Sequence, residues 1–137
     1  MKKKIVVVVC SHGMLAEEFI RSAQMIIGPM PDAVACCLLP GMQPNDYLAL
    51  VEEKIKPYEN ASLLVLADLF GGTPCNTMAR LLKVYDMHIV TGISLGMLIE
   101  VYSMHEQKCL QELRDIAMQT AEMSCVDVNE RLGIIRR

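Results

Sequence analysis

Tryptophan is absent from this 137-residue chain, and it holds only two Phe and four Tyr. So few rings argue against a stacking platform for bases or sugars. Positive charge is not in excess either: 13 Lys and Arg against 16 Asp and Glu leave a net charge of −3 with no basic stripe, so no nucleic-acid partner is expected. Apolar runs such as Ile5 to Cys10 fall far short of the length that crosses a bilayer. Lys2 to Lys4 ahead of that run imitate a secretory leader, but Ser11, His12, Glu17 and Glu18 end the apolar stretch too early. A cytoplasmic protein is the expectation. No C-x-x-C pair occurs among the six cysteines: Cys36 and Cys37 are adjacent, and Cys10, Cys75, Cys109 and Cys125 are scattered. They read as small hydrophobes, and the eleven methionines as core filling, so neither a metal nor a cofactor is expected.

What is present is an ordinary globule, 53% apolar and 21% charged. One domain over residues 1–137 is expected, because no linker, repeat or low-complexity tract divides the chain. Two kinds of segment alternate along it. Lys4 to Cys10 is β-branched and apolar on both faces, which predicts a strand buried on both sides of a parallel sheet. Met14 to Ile27 follows with Leu15, Phe19 and Ala23 at helical spacing, stopped by Gly28-Pro29. Ala33 to Leu39 reads as a second strand, and a helix capped by Asn45 runs from there to about Tyr58. Ser62 to Ala67 is a third strand. It leads into Asp68-Leu69-Phe70-Gly71-Gly72-Thr73-Pro74, where Thr73 suits an N-cap and Pro74 the first helical position of a helix reaching about Val84. His88 to Thr91 is a short fourth strand, and Leu95 to His105 and Lys108 to Met123 are helices. Cys125 to Val128 reads as a last short strand. The pattern predicts an α/β, doubly wound, mostly parallel sheet with helices on both faces.

In such sheets ligands bind at the carboxyl ends of the strands, where the strand order reverses. For the order 2-1-3-4 that crevice lies between strands 1 and 3. Strand 1 ends in Ser11-His12-Gly13 and strand 3 in Asp68, followed by the glycine pair. A neutral imidazole is nucleophilic at its unprotonated nitrogen. A carboxylate on the other nitrogen fixes the tautomer and steadies the charge that develops on attack. His12 and Asp68 are the candidates for these roles. Gly71 and Gly72 allow close backbone approach, and the free amides at the helix start, with the Thr73 hydroxyl, suit a dianionic phosphoryl group. Each piece also has an ordinary reading: His12 as a loop residue, Asp68 as a turn former, Gly-Gly-Thr-Pro as a strand-to-helix turn. Their convergence at one sheet edge favours the chemical reading. His88, at the start of a strand, reads as structural, and His105 as a partner of a helix dipole. Cys10 and His12 alone do not make a zinc site.

At these residues the sequence resembles the IIA component of the mannose/sorbose class of the bacterial sugar phosphotransferase system. The resemblance spans essentially the whole chain. It rests on Ser11-His12-Gly13 with Ala16, on Pro40-Gly41, on Asp68 through Asn76, and on Gly92 through Glu100. It implies that His12 accepts a phosphoryl group from the phosphohistidine of HPr and passes it to a IIB component, which phosphorylates sugar entering through membrane IIC and IID subunits. Asp68 would orient His12, and Thr73 would place its hydroxyl near the phosphoryl group. The resemblance also implies a four-strand parallel sheet with a C-terminal strand exchanged across a homodimer, in line with the strand read at Cys125 to Val128. A separate IIB protein is expected. Many members carry Trp at Phe70, Phe at Cys75, Asn at Ser94 and Pro at Gly96, differences that bear on the identity of the partner and sugar rather than on His12.

Two other functions fit parts of this pattern. A receiver-type signalling domain would use Asp68 as phosphoacceptor, but it needs an acidic pair near the end of strand 1, where this chain has Cys10-Ser11-His12. A flavin- or nucleotide-binding module needs a longer, glycine-richer loop there. The IIA-like subunit of a phosphoenolpyruvate-dependent dihydroxyacetone kinase would keep the same histidine.

Overall fold

A computed structural model describes residues 3–134. Four strands, β1 (Ile5–His12), β2 (Ala33–Leu38), β3 (Ser62–Ala67) and β4 (Met87–Thr91), form a sheet in the order β2-β1-β3-β4. Every neighbouring pair is parallel. Among the described residues, six helices accompany them: α1 (Leu15–Ile27), α2 (Pro44–Ile55), α3 (Thr73–Arg80), α4 (Leu95–Met104), α5 (Leu110–Ser124) and α6 (Val128–Arg131). A 3₁₀ turn at Lys56–Tyr58 extends α2. The strand order and the helices on both faces are those the sequence predicts.

The central strands are apolar on both faces because both faces are covered. Val7 and Val9 of β1, with Leu64 and Leu66 of β3, pack beneath α1, α4 and α5. Val6, Val8 and Cys10, with Leu63 and Val65, face Tyr47 and Val51 of α2 and Met78 of α3. Each such side chain, taken wholly out of water, contributes about 1.5–3 kcal/mol against chain entropy. All six cysteines are free thiols: Cys10, Cys36 and Cys75 buried, Cys37 half-buried, Cys109 and Cys125 exposed.

Helix boundaries depart from the sequence reading for local reasons. Helix α2 is capped at Gln43 rather than Asn45: the Asp46 carboxylate accepts from the Gln43 N–H at 2.9 Å, and Pro44 takes the first turn. Helix α5 begins after Cys109, whose N–H donates to Glu112 Oε1 at 3.1 Å. Helix α3 ends at Arg80 instead of Val84, because Leu81 N–H bonds back to Met78 O and Leu82 N–H to Ala79 O, tightening the chain into turns towards β4.

The segment at Cys125 to Val128 is not a strand. The chain leaves α5 extended at Cys125, and the Asp127 carboxylate accepts from Glu130 N–H at 3.2 Å, capping the short helix α6. An extended segment gains little without a sheet edge to pair with, and among the described residues these four have none; the local cap prevails.

At the amino end of the sheet an ion-pair cluster ties three elements together. His105, buried at the end of α4, meets Asp32 Oδ2 through Nε2 at 2.9 Å, and its Nδ1 contacts the Tyr102 carbonyl. The contact with Tyr102 agrees with the dipole role read for His105, whereas the ion pair with Asp32 was not foreseen. Lys4 Nζ lies 3.0 Å from Asp32 Oδ1, and the Tyr102 hydroxyl accepts from the Asp32 N–H at 3.0 Å. Burial raises the Asp32 pKa, but hydrogen bonds from His105 and Lys4 outweigh it and hold the carboxyl below its usual range. A depressed carboxyl stabilises the fold above its unfolded value, about 3.9, and that contribution is lost as pH falls through the folded value. Asp32→Asn is therefore expected to cost about 1–2 kcal/mol at pH 7. It should also lessen the loss of stability as pH falls below about 4, as read from urea midpoints at each pH.

Candidate functional site

The connections from β1 and β3 leave in opposite directions, one to β2 and the other to β4, so a crevice opens between their carboxyl ends. His12 is the last residue of β1, and Asp68 directly follows β3. The register that pairs Cys10 with Ala67 brings the two residues together, and Asp68 N–H donates to Cys10 O at 3.2 Å.

Asp68 Oδ2 receives two contacts from one residue: the backbone N–H of His12 at 2.9 Å and its ring Nδ1, also at 2.9 Å. Oδ1 accepts from Leu69 N–H at 2.9 Å. Burial raises the Asp68 pKa, but the hydrogen bonds from His12 and Leu69 more than offset it and hold the carboxyl below its usual range. The group is thus a carboxylate at neutral pH and can only accept. Nδ1 must carry the proton, which in the neutral ring leaves the lone pair on Nε2. The Asp68 side chain is 11% exposed and that of His12 45%, so the carboxylate is shielded while the imidazole stands open to solvent.

The glycine pair serves two different needs. Gly71 has φ +83°, a conformation costly for any residue with a side chain. Gly72 has an ordinary φ, but a Cβ there would lie 2.7 Å from His12 Cε1 and 3.2 Å from Nε2. It is glycine for space. Gly72, not Thr73, is the N-cap of α3, and its own backbone supplies the extended geometry. Thr73 and Pro74 accordingly take the first two helical positions. The amides that open α3 have no carbonyl within the helix to bond, and they carry the positive end of its dipole.

Of the residues the sequence singled out, His12, Asp68 and Gly72 are therefore brought into contact, with Gly71 and Thr73 adjoining in the chain. His88 lies in β4, opposite Leu64, and His105 in the cluster at the amino end. Two supporting residues were missed. Ser11 Oγ, fully buried, accepts from Ala16 N–H at 2.7 Å and donates to Gly13 O at 3.3 Å, fixing the turn that carries His12. Asn76 Nδ2 donates to Gly71 O at 2.9 Å. A serine closing an otherwise apolar strand signals the first; the second has no local signal.

The contact at Gly72 has a measurable consequence. In Gly72→Ala the new methyl meets the end of an exposed side chain, so the His12 ring should swing aside while the backbone stays. The thermal midpoint is expected to shift by the equivalent of less than about 1 kcal/mol. The Nδ1–Asp68 bond should be lost, seen as disappearance of the bonded Nδ1–H in the ¹⁵N spectrum of the imidazole.

Residues 6–118 match the family model described as PTS system fructose IIA component, of the EIIA-man type. The sorbose-specific EIIA component of Lacticaseibacillus casei is 28% identical over 127 residues, 92% of each chain. The fructose-specific EIIA component of Bacillus subtilis is 27% identical over 134 residues, 96% of this chain and 92% of that one. A solved structure, the mannose/sorbose-specific IIA subunit from Enterococcus faecalis, superposes with a TM-score of 0.84 at 31% identity, covering 93% of this chain and 95% of the other. The matched stretch runs through His12, Asp68 and the glycine pair, and the chain belongs to the mannose-class IIA family of the sugar phosphotransferase system.

Proposed function

We propose that this IIA protein is a phosphocarrier with a phosphohistidine intermediate, taking a phosphoryl group from phospho-HPr onto His12 Nε2 and passing it to a IIB component in sugar uptake. The observation that carries this reading is the bond from Nδ1–H to Asp68, which leaves the Nε2 lone pair beside Gly72 at the start of α3. In the forward step the Nε2 lone pair forms a bond to phosphorus as the nitrogen–phosphorus bond of the donor breaks. The donor imidazole leaves with that electron pair. His12 gains positive charge, which the Asp68 carboxylate balances at 2.9 Å. Gly71, Gly72 and Thr73 hold the phosphoryl oxygens through the open amides and the hydroxyl. Transfer to IIB reverses the step and returns the ring to its neutral form, and IIB then serves membrane IIC and IID subunits. No helix of the described residues is long and apolar enough to cross a membrane, which accords with a carrier working in the cytoplasm.

With phosphoenolpyruvate, enzyme I and HPr present, the intact protein should gain one acid-labile phosphoryl group by mass spectrometry. His12→Ala should abolish that gain, while His88→Ala and His105→Ala should keep it; undiminished labelling of the His12 variant would sink the reading. Asp68→Ala and Asp68→Asn should remain folded by circular dichroism and transfer on the order of a hundredfold more slowly. The amide of Asn can hold the ring but cannot balance its charge.

The family resemblance also favours a homodimer, and the exposed apolar residues Met123, Val126, Val128, Leu132 and Ile134 offer a surface for it. Light scattering should give about twice the chain mass at micromolar concentration, and truncation after Met123 should give a monomer. A full-length monomer would remove the dimer and leave the His12 chemistry intact.

A further inference from the structure

We propose that Asn76 is a positioning residue for phosphoryl transfer, holding the Gly71–Gly72 peptide so that the Gly72 N–H faces the group carried on His12 Nε2; this rests on the function proposed above. Asn76 stands in the first turn of α3 and grips the glycine pair twice. Its side-chain Nδ2 donates to Gly71 O at 2.9 Å, and its backbone N–H donates to Gly72 O, also at 2.9 Å. The second bond is the ordinary first rung of the helix. The first is not, since a helix needs no side chain to engage the carbonyl that precedes its cap.

Its effect follows from the planarity of the peptide. In a trans peptide the C=O and the next N–H point in opposite directions. With the Gly71 carbonyl drawn back towards Asn76, the Gly72 N–H must point away from the helix. Gly72 is also the residue that approaches the reacting nitrogen, since its Cβ, if it had one, would sit 3.2 Å from Nε2. The turn would not hold this orientation unaided. Gly71 sits at φ +83° with nothing within 4 Å of where its Cβ would be, and glycine on either side of a peptide leaves that plane free to rotate. Asn76 supplies the restraint that the sequence removed when it placed two glycines beside the imidazole. An exposed asparagine gains little stability from one neutral hydrogen bond, so its effect is expected on transfer rather than on folding.

The test uses the full chain with enzyme I, HPr and phosphoenolpyruvate. In Asn76→Ala the rate constant for phosphorylation of His12 should fall about tenfold, while the KM for phospho-HPr changes less than about twofold. Asn76→Asp keeps the size but replaces the donor with an acceptor, and it should fall at least as far. In the wild type the Gly72 amide proton should move downfield when His12 is phosphorylated, and this shift should be lost in both variants although their melting is unchanged. If the Ala variant frays α3, the isosteric Asp variant carries the comparison. Wild-type kinetics and a wild-type Gly72 shift in both variants would overturn this proposal alone. A wild-type chain that takes up no phosphoryl group would overturn the proposed function and this inference with it.

Discussion

One carboxylate oxygen organises the active edge of the sheet. Asp68 Oδ2 accepts both the backbone N–H of His12 and, through Nδ1, its ring. The first contact fixes where β1 ends relative to β3, and the second fixes how the imidazole stands on that end. A single acceptor thus sets both the position and the tautomer of the ring. It can do so only because β1 and β3 are neighbours in parallel register, which in turn requires the strand order to reverse between them. The sheet supplies rigidity without loops: Val7 and Val9 are fully buried on one face, and Val6, Val8 and Cys10 on the other. The 2.9 Å geometry is therefore set by the core, not by a flexible segment.

The opposite side of the imidazole is shaped by what is missing. Gly72 leaves out a Cβ that would collide with the ring, and Gly71 adopts a φ that side chains avoid. Two absences next to each other make a pliable turn, and the side chain of Asn76 restores order to it. The surroundings are open and apolar. Phe70 is 88% exposed and Leu69 is 58% exposed, on the same loop as the site. A phenyl ring exposed to that extent leaves a large apolar area in water beside the site.

The legible part of this architecture was the part that depends on sequence-local physics. Lys4 to Cys10 reads as a strand buried on both sides because burial on both faces leaves no polar alternation, and Ser62 to Ala67 reads as a third strand. The helix after Gly72 was legible from its punctuation, though not to the residue: with Gly72 able to take the extended cap conformation itself, Thr73 was displaced into the first turn. The strand order brought His12 and Asp68 together from the sequence, but the distant contact at the opposite end of the sheet was concealed. His105 and Asp32 are 73 positions apart, and nothing near either indicates the pairing. Cys125 to Val128 was misread for a related reason. Strand propensity there is genuine but needs an edge, and the Asp127 cap needs only its own backbone.

The same geometry bears on the proposed choice of His12 over the other phosphoacceptor that a doubly wound sheet could offer at this edge. An aspartate at the end of β3 could itself attack phosphorus, as a receiver-type reading would require. Here both Asp68 oxygens already accept hydrogen bonds, one from Leu69 and the other twice from His12, and the side chain is largely screened from solvent. Attack from either oxygen would give up bonds that hold its carboxyl below the usual range, and so draw on electron density the fold has already committed. His12 Nε2 bears no such commitment. Its partner nitrogen is tied, its ring is about half exposed, and the positive charge it would acquire has a carboxylate waiting at 2.9 Å. The bond between Nδ1 and Asp68 Oδ2 occupies that carboxylate oxygen and at the same time leaves the Nε2 lone pair of the neutral His12 ring free.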